Sequence, residues 1–254
     1  MVWRVWGEGR PLVLLHGASG SWTHWIRNVL PLSRHARVCA ADMPGFGDSD
    51  APPEPHTANG LADLVVEALE RVVEPFAAID LAGFSFGGII AGIVAARLGA
   101  RVETLVLIGP GGMNLRYTPP PTLRRVDAGD SADAIERAHR ENLAAVMIAQ
   151  PDRIDALAVF LHAENVRRAR FKSGTIPVSD ALRLALPAVR ARIAGIWGER
   201  DAFVGPYVED RRRLLATFQP DLDFRVIAGA GHWVPYEAAD DVNAALREIL
   251  YPRA

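Results

Sequence analysis

The feature that most constrains this chain is an apolar stretch interrupted by a short glycine–serine turn. Residues 76–81 form an apolar run typical of a buried strand, and residues 89–96 form one typical of a buried helix. The turn Gly-Phe-Ser-Phe-Gly, centred on Ser85, connects them. A serine on so tight a turn needs small neighbours, and its hydroxyl is exposed at the head of a helix, where backbone N–H groups converge. Ser85 is therefore a candidate nucleophile.

A second and a third candidate follow later strands. An isolated Gly-x-Ser-x-Gly match is often only a flexible turn, so it has to be judged together with other motifs in the chain. A Trp-Gly-Glu-Arg-Asp segment ending at Asp201 follows one predicted strand, and a Gly-Ala-Gly-His-Trp segment containing His232 follows the next. We predict that His232 is the base for Ser85 and that Asp201 orients it. Glu199, nearer the strand end, is the competing acid.

The glycine–serine turn resembles the nucleophile elbow of the α/β-hydrolase superfamily, whose catalytic residues occur in the order serine, acid, histidine. The His-Gly turn that begins at His16 resembles the loop that supplies one oxyanion-hole N–H in that superfamily. The resemblance implies that the backbone N–H groups of Ala18 and Phe86 stabilise an oxyanion. His16 itself is interpreted as a structural histidine that braces the loop. The implied reaction is hydrolysis through an acyl-enzyme or an equivalent addition, without metal or cofactor.

Strands and helices alternate along most of the chain. Strands are predicted over 2–6, 11–15, 37–41, 76–81, 102–108, 193–197 and 224–227. Helices are predicted over 22–33, 57–73, 89–96, 207–218 and 237–250. This alternation predicts an α/β fold with a mostly parallel central sheet, flanked by helices and joined by right-handed crossovers. We expect seven strands, because the superfamily's usual first strand has no counterpart here.

The pattern changes over residues 113–187. A triple-proline connector is followed by helical stretches near 131–149 and 151–170, without a convincing strand. We therefore predict a helical cap at 113–187, inserted into a core of residues 1–112 and 188–254. The alternative is a second helical layer without a role in substrate binding.

Composition narrows the class of function. The 254 residues suit one large α/β domain with an insertion, and half of them are hydrophobic. A net charge of −2 argues against a nucleic-acid partner.

The uncharged stretch between Asp80 and Arg97 is too short to cross a membrane, and no signal peptide is recognisable. The only cysteine, Cys39, excludes an intramolecular disulfide and favours a cytoplasmic location. The sequence leaves the oligomeric state open.

Three short motifs narrow the substrate. Ser-Phe-Gly-Gly at 85–88, Gly-Pro-Gly-Gly at 109–112 and Gly-His-Trp at 231–233, with Glu237 beyond, resemble the meta-cleavage-product hydrolases. That resemblance implies hydrolysis of a carbon–carbon bond in a ring-fission dienoate. Phe84 stands where that family typically has Asn. The alternatives are a carboxylesterase or lactonase acting on small apolar esters and, from another class, a ligand receptor with the same fold.

The second predicted cap helix carries candidate substrate contacts. Ile154, Leu157 and Leu161 form an apolar stripe that we expect to line a mostly apolar pocket between cap and core. Docking of the cap on the core would explain the stripe equally well. The stripe continues to Arg168, which could pair with a substrate carboxylate or end a solvated helix. Trp233, beside the predicted base, is a further candidate contact.

Overall fold

The fold is built on a seven-stranded sheet in the order β1-β3-β2-β4-β5-β6-β7. The computed structural model describes residues 1–127 and 129–251, so position 128 of the predicted cap and residues 252–254 of the predicted core lie outside it. The strands are β1 (Val2–Trp6), β2 (Pro11–Leu15), β3 (Arg37–Asp42), β4 (Ile79–Phe84), β5 (Val102–Ile108), β6 (Arg192–Gly198) and β7 (Asp223–Ile227). Only β1 pairs antiparallel in this sheet. The predicted α/β fold with a mostly parallel sheet is confirmed.

Helices cover both faces of the sheet. They are α1 (Val29–Leu32), α2 (Ala58–Leu69), α3 (Phe86–Leu98), α4 (Ala132–Val146), α5 (Ala156–Arg168), α6 (Ala181–Ala185), α7 (Val208–Ala216), α8 (Val234–Glu237) and α9 (Ala239–Leu250). Short 3-10 helices span Trp22–Trp25, Gly99–Arg101, Pro151–Arg153, Ile176–Val178, Leu186–Ala188 and Gly205–Tyr207. None of the helices in the described part of the chain is long and apolar enough to cross a membrane.

The core consists of two apolar clusters, one on each face of the sheet. Val13 and Leu15 of β2 pack in the cluster that contains Ile90 of α3. Leu12 and Leu14 pack in the other cluster, with Leu246 of α9. Because helices cover both faces, the central strands are continuously apolar rather than alternating, which is why they could be located in the sequence.

Several predicted elements have different bounds in the structure, and two of these differences have a clear physical reason. Strand β4 begins at Ile79 rather than at Phe76, whose side chain is 95% exposed and whose φ is +66°. The strand extends to Phe84, which pairs with Ile108 of β5. The predicted helix over 22–33 is split into a 3-10 helix and α1, because Pro31 cannot donate the N–H that a continuous helix would need.

The described residues between β5 and β6 contain helices and no strand. Their longest elements are α4 and α5. Helix α5 begins at Ala156 rather than at Pro151, because Asp155 is its N-cap and accepts the Ala158 N–H at 2.8 Å. The predicted helix over 151–170 is therefore two elements.

Candidate active site

Ser85 sits on a strained turn between β4 and α3. Its φ of +50° and ψ of −118° are rarely adopted by an L-residue and require the surrounding structure to hold them. A Cβ on Gly87 would lie 2.4 Å from the carbonyl oxygens of Leu15 and His16. A Cβ on Gly83 would lie 2.4 Å from the Gly87 carbonyl. Only glycine therefore allows β2, β4 and α3 to approach closely enough to form this turn.

His232 lies between Ser85 and Asp201. Its Nε2 is 2.9 Å from Ser85 Oγ, and its Nδ1 is 2.7 Å from Asp201 Oδ2. The other oxygen of Asp201 accepts the N–H groups of Phe203 and Val204. Because the Asp201 carboxylate can only accept, this network places a proton on Nδ1 and leaves Nε2 to accept the serine hydroxyl. The side chains of His232 and Asp201 are both buried.

Glu199 has a different partner. Its Oε2 accepts the Gly229 N–H at 2.8 Å, which joins the loops after β6 and β7. The structure thus brings Asp201, and not Glu199, to the histidine.

Two backbone N–H groups flank the serine. Ala18 and Phe86 line the same cavity as Ser85. Phe86 is the first residue of α3, so its N–H has no acceptor within the helix. Over residues 1–127 and 129–251, neither N–H donates to a protein acceptor, so both can donate to a negatively charged oxygen.

Buried histidines hold the loop that carries Ala18. His16 contacts the Gly17 carbonyl through Nδ1 at 2.8 Å, and its Nε2 accepts the Met43 N–H at 2.9 Å. Burial lowers the pKa of His16 to about 4. Nδ1 of His24 accepts the Gly17 N–H, and burial holds the pKa of His24 well below its usual value. Both rings are therefore neutral braces near pH 7. His24 has no distinguishing sequence context, and the sequence did not single it out.

A cavity of about 330 Å³ opens beside Ser85. It is lined mostly by apolar side chains and glycines of the core and by residues of segment 113–187, which are Met113, Asn114, Leu115, Tyr117, Pro120, Met147, Pro177 and Val178. The only cation among its lining residues in the described structure is Arg211 of α7. No group of three or more metal-ligating side chains occurs in the described residues.

The apolar stripe of α5 does not reach this cavity, which corrects the expectation for Leu157 and Leu161. Leu157 is 42% exposed on the outer surface. Leu161 is buried in the core cluster that also contains Leu12. Ile154 packs in the same cluster, so only Ile154 and Leu161 of the stripe dock this part of the segment on the core.

Arg168 and Trp233 do not line the cavity either. The Arg168 guanidinium pairs with Asp48 at 2.7 Å and with Glu164 at 3.2 Å on the surface. Trp233 is buried, donates its indole N–H to the His24 carbonyl and its backbone N–H to the Met147 carbonyl at 2.7 Å. Both expectations are corrected: Arg168 has acidic partners at the surface, and Trp233 fixes the loop of the neighbouring histidine.

Comparisons with known proteins agree with this architecture. The Alpha/beta hydrolase family model matches residues 12–245. The 2-hydroxy-6-oxo-2,4-heptadienoate hydrolase of Pseudomonas putida is 32% identical over 91% of this chain and 85% of its own length. The dihydrolipoyllysine-residue acetyltransferase component of the acetoin cleaving system of Pseudomonas putida is 29% identical over 96% of this chain, which spans 64% of that relative.

A solved structure shows the same fold. The meta-cleavage product hydrolase from Pseudomonas fluorescens, crystallised with acetates, has a TM-score of 0.77 and 22% identity, and the match covers 98% of this chain and 93% of that one. The resemblance to the meta-cleavage-product hydrolases predicted from the motifs is confirmed by the relative that is 32% identical. Because the family model matches residues 12–245, the chain belongs to the alpha/beta hydrolase family.

Proposed function

We propose that this protein is a serine hydrolase in which Ser85 attacks a carbonyl carbon of the substrate. The observation that carries the proposal is the continuous contact from Ser85 Oγ through His232 to Asp201, at 2.9 and 2.7 Å. His232 takes the serine proton and later donates it to the leaving group, while Asp201 stabilises the imidazolium that forms. The N–H groups of Ala18 and Phe86 stabilise the oxyanion.

The substrate is a small and largely apolar molecule. The cavity of about 330 Å³ is at the lower end of the range for small-molecule sites, and apolar groups form most of its wall. We propose that residues 113–187 act as a cap, because they supply one wall of this cavity while the core supplies Ser85 and His232.

Carbon–carbon hydrolysis of a ring-fission dienoate is the first candidate reaction. The relative that is 32% identical is named for hydrolysis of such a dienoate, and the motifs around Ser85 and His232 resemble its family. Hydrolysis of a small carboxylic ester or lactone is the second candidate, because the serine, base and N–H groups require only a carbonyl group.

A paired assay on one preparation tests the proposal. Decay of a coloured ring-fission dienoate and release of nitrophenol from short esters would be followed for the wild type, Ser85→Ala, His232→Ala and the double variant. Each single variant should lower kcat by about three orders of magnitude or more, and the double variant hardly further, because the groups act as a unit.

Ser33→Ala is the matched control, since its hydroxyl bonds the Leu30 carbonyl away from the cavity. Turnover retained in folded Ser85→Ala would contradict the serine mechanism. A wild type that binds such compounds without turning any over would instead be a receptor.

A further inference from the structure

Arg211 differs from the arginines that follow it in α7. The side chain of Arg213 is 75% exposed, and that of Arg212 packs over the Phe224 ring and pairs with Glu209. Arg211 is only 5% exposed, and it lines the cavity that contains Ser85. A guanidinium in a mostly apolar cavity needs a physical reason, since burial of an unpaired charge is unfavourable.

The protein provides Arg211 with little compensation. Nη1 donates to the Tyr207 carbonyl at 3.0 Å, and no carboxylate in the described chain lies within 4 Å of the guanidinium. The two nearby acids have other partners, because Asp210 pairs with Arg116 and Asp201 bonds His232. Burial lowers the pKa of Arg211, although a guanidinium stays cationic at any ordinary pH.

Most donors of Arg211 have no protein acceptor among the described residues. A guanidinium has five N–H donors in a planar fork, and one nitrogen of Arg211 has a protein acceptor. None of its nitrogens is among the fully enclosed, unpartnered atoms of the described residues, whereas Nε of Arg212 is. The unpaired nitrogens therefore keep some exposure, on a residue that borders the cavity, and their planar fork suits a planar carboxylate.

We infer that Arg211 binds a carboxylate carried by the substrate on which Ser85 acts. The inference rests on the proposed function and adds to it a charged specificity group, with the carbonyl to be attacked at one end of the molecule and an anion at the other. Few other polar groups compete in this cavity, so a charge-assisted pair here is stronger than one in water. A neutral substrate of the same shape would leave the guanidinium unpaired.

Matched esters test this inference. 4-Nitrophenyl valerate and mono-4-nitrophenyl glutarate have the same chain length and differ by a terminal carboxylate, and the spontaneous rates are subtracted. Arg211→Gln should lower kcat/KM for the glutarate ester by about 10- to 100-fold, mainly through KM, and change the valerate rate little. Arg211→Lys should fall between, because it keeps the charge without the fork. Arg213→Gln, on the same helix but exposed, should alter neither ester.

Equal losses on both esters, or an unchanged preference in folded Arg211→Gln, would overturn the inference in favour of a structural role. If Arg211→Gln does not fold, the wild type still decides: glutarate should inhibit valerate-ester hydrolysis, whereas glutaramide should not, and equal inhibition overturns the inference. Calorimetric binding of glutarate needs no turnover. It therefore distinguishes a failed anion site from a failed serine mechanism, which would show as loss of all Ser85-dependent hydrolysis.

Discussion

The two oxygens of Asp201 divide their roles, one facing His232 and one facing its own loop. Oδ2 lies 2.7 Å from Nδ1 of His232, while Oδ1 accepts the N–H groups of Phe203 and Val204. Backbone N–H groups thus fix the Asp201 carboxylate, and the carboxylate in turn orients the His232 ring. A rotation of either group would cost bonds on both sides, so the histidine is held in one orientation.

Asp201→Asn should therefore keep the fold and remove most activity. An amide nitrogen facing Nδ1 would favour the wrong tautomer of His232, with a proton on Nε2, and kcat should fall by up to about four orders of magnitude. Glu199→Gln should change kcat only a few-fold, because Glu199 bonds Gly229 instead. Ester kinetics with circular dichroism as the folding control would measure both; the reverse ranking would reassign the acid.

Glu237→Gln should lower the stability of the fold. The buried Glu237 carboxylate accepts the N–H groups of Gly231, Ala149 and Gln150 at 2.7, 3.1 and 2.8 Å. A glutamine turns an amide donor toward these donors, and we expect a loss of about 2–4 kcal/mol in the free energy of unfolding. Glu248→Gln, which removes an exposed ion pair with Arg225, should cost less than about 1 kcal/mol. Equal midpoints for both variants in urea would refute the prediction.

Stability should fall as the solution is acidified below about pH 6.5. Burial lowers the pKa of His162 to about 4, and its Nδ1 faces that of His139 at 2.9 Å. Between the usual histidine pKa and pH 4, the unfolded chain takes up a proton that native His162 does not, so each such histidine removes about 1.4 kcal/mol per pH unit. The free energy of unfolding measured at pH 7, 6 and 5 should decline less steeply in His162→Gln. The difference between the two slopes should correspond to about one bound proton. An identical slope would exclude His162 as a source.

Two exposed residues of segment 113–187 allow the wall of the cavity to be compared with the outer surface. Val178 is 46% exposed and lines the cavity, whereas Leu157 is 42% exposed and does not. Val178→Trp should lower kcat/KM increasingly as the acyl chain of a nitrophenyl ester lengthens. Leu157→Trp should leave the chain-length preference unchanged. If both variants behave alike, the segment does not act as a cap over this cavity.

The sheet could be predicted because its signal is local. Each buried strand is an apolar run, and the glycines beside Ser85 are required by backbone contacts that any chain making this turn must satisfy. The acid and the histidine follow strand ends, so their approach to Ser85 follows from a parallel sheet.

The residues that line the cavity could not be predicted because they depend on which face of a helix meets the core. Asp155 starts α5 four residues after Pro151, so the predicted apolar stripe does not lie on one continuous helix. Arg211 stands in a run of three arginines that looks like a solvated helix face. Arg211 is buried and Arg213 is exposed only because of where the fold places α7, beside the loop after β6.

Met147 links the wall of the cavity to the loop that carries His232. Met147 borders the cavity, and its carbonyl accepts the N–H of Trp233, the residue after His232. A bulky molecule that pressed on Met147 would therefore also act, through the backbone, on the position of the His232 imidazole. Discrimination by substrate size would then be recorded in the rate of the chemical step as well as in affinity.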